Sequence, residues 1–201
     1  MKNVFLVYDD CCFYEIVILN YFMKFTGQDV VICSLNGSAI TCMEGYSVNV
    51  DMALKDVEID NIKSLIIPGG DIKIICNEEV YELIKDLVKK EIIVAAICAG
   101  VDVLENTGVL KDTKSTHSED TDIYNDKKVI TARANAYVDF AIEVAKELNL
   151  FKDEADLKET LDFWKFHKRV QWELMKNLIR GNEYGFISYR YAKINNKWKF
   201  I

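Results

Sequence analysis

The stretch that most constrains this chain is Glu91-Ile92-Ile93-Val94-Ala95-Ala96-Ile97-Cys98-Ala99-Gly100. An unbroken apolar run of β-branched and small residues suits a strand buried on both faces, the position of a central strand in a parallel sheet. The run stops at Cys98. Beyond it, Val101, Leu104 and Val109 follow a spacing that fits a short helix, so the cysteine sits where a strand turns sharply into a helix. That is the outline of a nucleophile elbow, in which strained backbone presents a reactive side chain at the carboxyl end of a sheet and small neighbours such as Ala99 and Gly100 permit the turn. Amides at the start of the helix are expected to favour the thiolate, the form that attacks electrophiles. The plainer reading, an inert buried cysteine, suits residue type alone; strand, small residues and helix start together favour the elbow.

The remainder of the chain supplies a setting for such an elbow. With 201 residues, half of them hydrophobic and only one proline, it can bury a large core. Its six cysteines, at positions 11, 12, 33, 42, 76 and 98, show neither paired CxxC spacing nor the density of a secreted disulfide scaffold. A reduced, cytoplasmic setting is therefore expected. Only about five apolar residues precede Asp9 and Asp10, too few for a signal sequence, and no run approaches the ~20 residues of a membrane span. A net charge of -7 disfavours general binding to nucleic acid or anionic membrane. Metal-ligand clusters, phosphate loops and dinucleotide fingerprints are absent from the pattern, so no cofactor and no metal are expected.

In chain order, Val4–Tyr8 reads as a buried strand, followed by the Asp9–Cys12 loop and an apolar helix closed by Gly27. Val30–Cys33 is a second strand, and residues 39–51 look like a small hairpin excursion. Ile62–Ile67 is a core strand ending in Pro68-Gly69-Gly70-Asp71, whose glycines let backbone amides approach whatever lies above the sheet. Asn77 caps an amphipathic helix with Val80, Leu83, Ile84, Leu87 and Val88 on one face. After the elbow come Ser115-Thr116-His117, a strand at Lys128–Thr131, and a helix expected to be capped by Asn135. This β, α alternation argues for an α/β fold, a mostly parallel sheet with helices on both faces. Residues 1–150 form that domain. Residues 151–201 form a helical and hairpin extension expected to pack on it: one long or broken helix over 153–180 whose apolar stripe shifts phase near Phe166, then a β-hairpin around Asn195-Asn196. Trp164 and His167 read as core or interface residues. The alternating aromatics Tyr189, Tyr191, Trp198 and Phe200 suit a sheet edge or a dimer contact.

Loops at the carboxyl ends of parallel strands converge on one crevice, which brings Glu15, Gly69, Gly70, Cys98 and His117 toward one another. Their order resembles the ThiJ/PfpI superfamily: a strand with an acidic residue soon after it, then IIPGG, AAICAG, STH and VITAR. That resemblance covers residues 2 to about 150 and implies a class I glutamine amidotransferase-like, flavodoxin-like fold. It also implies Cys98 as the reactive cysteine, Glu15 as the carboxyl group beside it, and His117 as a nearby histidine. Amides at Gly69, Gly70 and Ala99 would bind an oxyanion, and the chain would form a homodimer. Apart from the resemblance, Glu15 would read as a solvated acid, the glycines as a plain turn, and His117 as a surface residue.

Two departures stand out. PfpI-type proteases carry a histidine directly after the cysteine, whereas Ala99 stands here, so the Cys-His pair for proteolysis is absent. Ala134-Asn135-Ala136-Tyr137 replaces a glycine-rich turn, placing Tyr137 either over the pocket or in packing. The resemblance implies a cysteine-dependent enzyme acting on a small-molecule electrophile, foremost a glyoxalase- or deglycase-like conversion of α-oxoaldehydes. Isonitrile hydration is the nearest enzymatic alternative; redox sensing or chaperone-like action through Cys98 oxidation, and ligand binding without turnover, belong to other classes. Cys11 and Cys12 share a loop with Glu15, which makes them candidate resolving thiols for an oxidised Cys98; the bland reading is that neither sulfur faces the pocket.

Overall fold

A computed structural model describes residues 1–168 in full, and the backbone of Tyr191–Ile194 and Lys197–Phe200. Its elements in chain order are β1 (Lys2–Leu6), α1 (Tyr14–Phe25), β2 (Val30–Ser34), β3 (Ile40–Thr41), β4 (Ser47–Val48), β5 (Met52–Ala53), β6 (Ile62–Ile67), α2 (Glu78–Lys89), β7 (Ile93–Ile97), α3 (Gly100–Thr107), β8 (Ile123–Asp126), β9 (Val129–Ala132), α4 (Tyr137–Glu147), α5 (Glu154–Thr160), β10 (Tyr191–Ile194) and β11 (Lys197–Phe200). The chain divides into two compact units, Met1–Leu150 and Phe151–Ile201.

In the first unit a seven-stranded sheet runs β5-β2-β1-β6-β7-β9-β8. All neighbours are parallel except β8, which pairs antiparallel with β9 at the edge. Every residue of β7 is buried, as the unbroken apolar run requires of a strand with parallel neighbours and helices on both sides. The step from β1 to β2 moves one way along the sheet and the step from β6 to β7 moves the other. Right-handed crossovers then put α1 and α2 on opposite faces. Accordingly α1 packs with α4, and α2 with α3. The reversal between β1 and β6 is a topological switch point, where the loops leaving both strands splay apart and open a crevice.

Local chemistry accounts for most boundaries. The side chain of Asn77 accepts the Val80 N–H at 3.1 Å, capping α2 as expected. Asn135 does not cap α4: it lies inside a short 3-10 turn, Ala134–Ala136, and the helix begins at Tyr137 with no side-chain cap. The excursion after β2 contains the antiparallel β3–β4 pair. In the second unit α5 passes into a wider π-helical turn, Leu161–Lys165, at the place where the apolar stripe changes phase. Of the two forms expected, one long or one broken helix, the described part takes the broken one: the helical turn ends at Phe166, and His167 takes a positive φ of 53°. Residues 169–180 of that helix, Tyr189, and the Asn195-Asn196 turn lie outside the described residues. The β10 and β11 strands pair antiparallel, Tyr191 opposite Phe200. Among the described residues no helix is long and apolar enough to cross a membrane.

Candidate functional site

The residues singled out by the sequence gather where β1, β6 and β7 end. Cys98 follows β7 directly and has φ 56°, a left-handed conformation that costs a non-glycine residue about 1–3 kcal/mol and persists only when its surroundings impose it. Those surroundings are visible. The Cys98 N–H donates to the carbonyl of Ala132 at 2.9 Å, and its own carbonyl accepts the Val101 N–H at 3.1 Å, so the sheet holds one side of the residue and the helix start the other.

Two glycines make room for this turn. A Cβ on Gly100 would lie 2.6 Å from the Ile67 carbonyl oxygen, so only glycine lets α3 start against the end of β6. A Cβ on Gly69 would lie 2.8 Å from the Cys98 sulfur. Gly70 meets a different demand: its φ is 123°, and any side chain there would collide with the carbonyl of Asp10. An antiparallel bridge between Cys11 and Gly70 then ties the β1–α1 loop to the Gly-Gly turn, with the Cys12 N–H donating to Gly69 O at 2.9 Å. Beneath the turn, the buried Tyr8 hydroxyl donates toward the carbonyls of Pro68 and Gly69, both at 2.8 Å. Burial raises the Tyr8 phenol above its ordinary range, with nearby cysteines and Glu15 adding to the effect. It stays a hydrogen-bond donor.

Glu15 lies in the first turn of α1 and is 1% exposed. The Gly69 N–H donates to its Oε2 at 2.7 Å, while Oε1 is buried with no hydrogen-bond partner. Burial pushes this carboxyl above its ordinary 4.5, against opposing pulls from the Gly69 amide and the Cys98 thiol. Because Oε2 is occupied as an acceptor, Oε1 is the oxygen left to carry a proton.

The Cys98 thiol is also raised, first by burial and then by the negative charge of Glu15, while the Ala99 N–H aimed at the sulfur pulls it down. The helix-start amide favours the thiolate as expected, but burial and a facing carboxyl outweigh it. Burial makes both groups resist ionising and the charge of Glu15 adds to this at Cys98, so the pair keeps a proton close to the sulfur.

The three glycine and alanine amides differ. That of Gly69 is committed to Glu15, and that of Ala99 points at the sulfur. The Gly70 N–H makes no hydrogen bond among the described residues.

His117 sits on the exposed side of α3. Its Nδ1 lies 3.0 Å from Glu105 Oε2 and its Nε2 lies 3.5 Å from Asp102 Oδ1. Both ring nitrogens therefore face carboxylates of α3. These three exposed residues bring potential ligand atoms within 4.8 Å of one another, but the contacts they already make are to each other.

Sequence reasoning missed Glu44. It projects from the turn between β3 and β4 and accepts the N–H of Tyr14 at 2.6 Å and of Phe13 at 3.2 Å, capping α1 from about thirty residues away. Burial opposes its ionisation, yet these amide bonds prevail and hold the carboxyl below its ordinary value. Tyr14, also unremarked in the sequence, carries its phenol close to Glu15, Cys12 and Cys98. Its ring meets Tyr137 edge-on at 5.6 Å, which makes packing the observed role of Tyr137.

With this geometry in hand, comparison with known proteins is decisive on kinship. The sequence matches the DJ-1/PfpI family over residues 1–147. The chain belongs to that family. A deglycase of Pyrococcus abyssi is 33% identical over 104 residues, covering 51% of this chain and 63% of that protein. The glutathione-independent glyoxalase DJR-1.2 of Caenorhabditis elegans is 28% identical over 127 residues, covering 62% of this chain and 65% of that protein. The matched stretch thus spans less than two thirds of either relative. Among solved structures, the DJ-1 superfamily protein Atu0886 from Agrobacterium tumefaciens superposes with a TM-score of 0.74 at 26% identity, covering 84% of this chain and 100% of that one.

Proposed function

We propose that this DJ-1/PfpI protein is a cysteine-dependent enzyme that converts small α-oxoaldehydes to 2-hydroxy acids without glutathione. The observation that carries the reading is the pairing of a strained Cys98 with a buried carboxyl whose Oε1 has no partner of its own. A group in that state can hold a proton for a reacting atom and take it back, which is what addition to a carbonyl demands. Relatives named deglycase and glutathione-independent glyoxalase support the choice of substrate class.

The chemistry follows from the groups present. The Cys98–Glu15 pair reacts with one proton between them: the sulfur adds to the aldehyde carbon as that proton reaches the carbonyl oxygen, giving a hemithioacetal and leaving Glu15 a carboxylate. Glu15 then removes the hydrogen from the former aldehyde carbon and returns a proton to the adjacent carbonyl carbon by way of an enediol, leaving a thioester. Water attacks the thioester; the C–S bond breaks, the thiol is regenerated and the 2-hydroxy acid leaves. The balance is one oxoaldehyde and one water in, one hydroxy acid out. In this scheme the amides of Gly70 and Ala99 take the negative charge on oxygen in the addition and hydrolysis steps. His117, engaged by Asp102 and Glu105, has no step in this scheme.

The test is consumption of methylglyoxal with lactate as the assayed product and no added thiol. Wild type should form lactate, and both Cys98→Ser and Glu15→Gln should lose it. Wild-type protein that makes no lactate overturns the reading.

A further inference from the structure

Two cysteines lie in the loop that carries Glu15, and the structure separates their roles. Cys11 is fully buried, its backbone bridged to Gly70 and its sulfur close to Cys42. Cys12 is half-buried. Its N–H bonds to Gly69, the same residue whose Cα lies against the Cys98 sulfur, so one glycine backbone stands between the two cysteines. The charges of Glu15 and Cys98 both bear on the Cys12 thiol. The Cys12 thiol rests on the Met43 sulfur of the β3–β4 turn at 3.8 Å, a weak hydrogen bond that is readily given up.

We propose that Cys12 is a resolving thiol: when a peroxide oxidises Cys98, Cys12 and Cys98 join in an intramolecular disulfide that spares Cys98 from irreversible oxidation. In the first step the peroxide O–O bond breaks and an S–O bond forms on Cys98. The sulfur loses two electrons to the peroxide, and the remaining oxygen departs as water or alcohol with the thiol proton. In the second step the Cys12 sulfur attacks the sulfenic sulfur. An S–S bond forms, the S–O bond breaks, and the leaving hydroxide takes a proton from Glu15 Oε1 as water, while the Cys12 proton replaces it on Glu15. A dithiol reverses the bond by exchange.

The order of events fits the surroundings. The Cys12 thiol is pushed up to about 11, first by burial and then by the charge of Glu15. Among its influences there is no counterpart to the Ala99 N–H that favours a Cys98 thiolate, so peroxide reacts first at Cys98.

The experiment treats the reduced full chain with hydrogen peroxide, blocks remaining thiols by alkylation, and maps peptides without reduction. The expected product is a Cys12–Cys98 cross-linked peptide that dithiothreitol removes. In Cys12→Ser that peptide disappears and the sulfinic form of Cys98 rises several-fold at equal peroxide; in Cys11→Ser the cross-link persists. Wild-type protein whose Cys98 becomes sulfinic while Cys12 is fully alkylated overturns the proposal, as does a cross-link to Cys11 in place of Cys12. The wild-type result stands even where a variant folds poorly. No α-oxoaldehyde enters the assay, so its failure and the failure of the turnover reading are distinguishable.

Discussion

Carboxyl groups of two helices lie on either side of Cys98 in the chain, Glu15 in α1 and Asp102 with Glu105 in α3, and their surroundings differ. Glu15 in α1 is buried, with one oxygen on the Gly69 amide and the other unpartnered, and its carboxyl is raised by loss of water. Asp102 and Glu105 in α3 are exposed, with side chains 52% and 61% accessible, and both contact His117. Water reaches the second pair; its exclusion from the first raises the Glu15 carboxyl. Residue type is shared, and burial decides the chemistry.

The most severe way to break this contrast is Glu15→Gln. Loss of the titratable proton should lower kcat for lactate formation by about 10²- to 10⁴-fold, measured by steady-state kinetics. The same variant sharpens the contrast thermodynamically. With a folded-state value above the unfolded 4.5, Glu15 favours the fold fully at acid pH, and that contribution is lost as pH rises through the folded value. Thermal unfolding should therefore show Glu15→Gln gaining stability relative to wild type as pH climbs above 4.5, then levelling off. A difference independent of pH would mean that Glu15 is not buried as a neutral acid.

Next in size is Gly69→Ala. The added methyl would meet the Cys98 sulfur at 2.8 Å, so overpacking should cost about 1–3 kcal/mol in denaturant unfolding and displace the nucleophile, with activity falling further than stability. Removing the cap from the other end of the site, Glu44→Ala, should cost about 1 kcal/mol of stability by releasing the first amides of α1. Its effect on activity should appear through Glu15, one residue beyond the capped Tyr14. Smallest is His117→Gln, which removes exposed pairs worth about 0–1 kcal/mol and should leave kcat within a few-fold of wild type. A large loss there would promote His117 to the reaction and erase the contrast between the two sides.

The strands buried on both faces were legible because continuous apolar runs leave little choice: β6 spans Ile62–Ile67 as read, and β7 ends at Ile97 directly before the cysteine. Edge strands were not. Ile123–Asp126 is half-buried along its whole length and mixes polar with apolar residues, so nothing but its pairing with β9 marks it as a strand. Asn135 shows the same weakness in capping: a suitable residue stood one position before the N-cap, Ala136, inside a short 3-10 turn. In the site, the order of Glu15, Gly-Gly and Cys98 along the chain was readable, since each sits at the end of a recognisable strand. The Glu44 cap was not, because no local pattern links a hairpin tip to a helix some thirty residues earlier.

What the sequence determined by itself is the α/β order, the cysteine at a strand-to-helix turn with small neighbours, and membership of a family defined by those motifs. Those features are local, written in periodicity and residue size. Only the tertiary structure decided which carboxyl loses its water, which amide is spent on it, and which of two adjacent cysteines is fully buried. Solvent exclusion and through-space approach arise when β1, β6 and β7 bring their ends together, and no run of residues along the chain contains them.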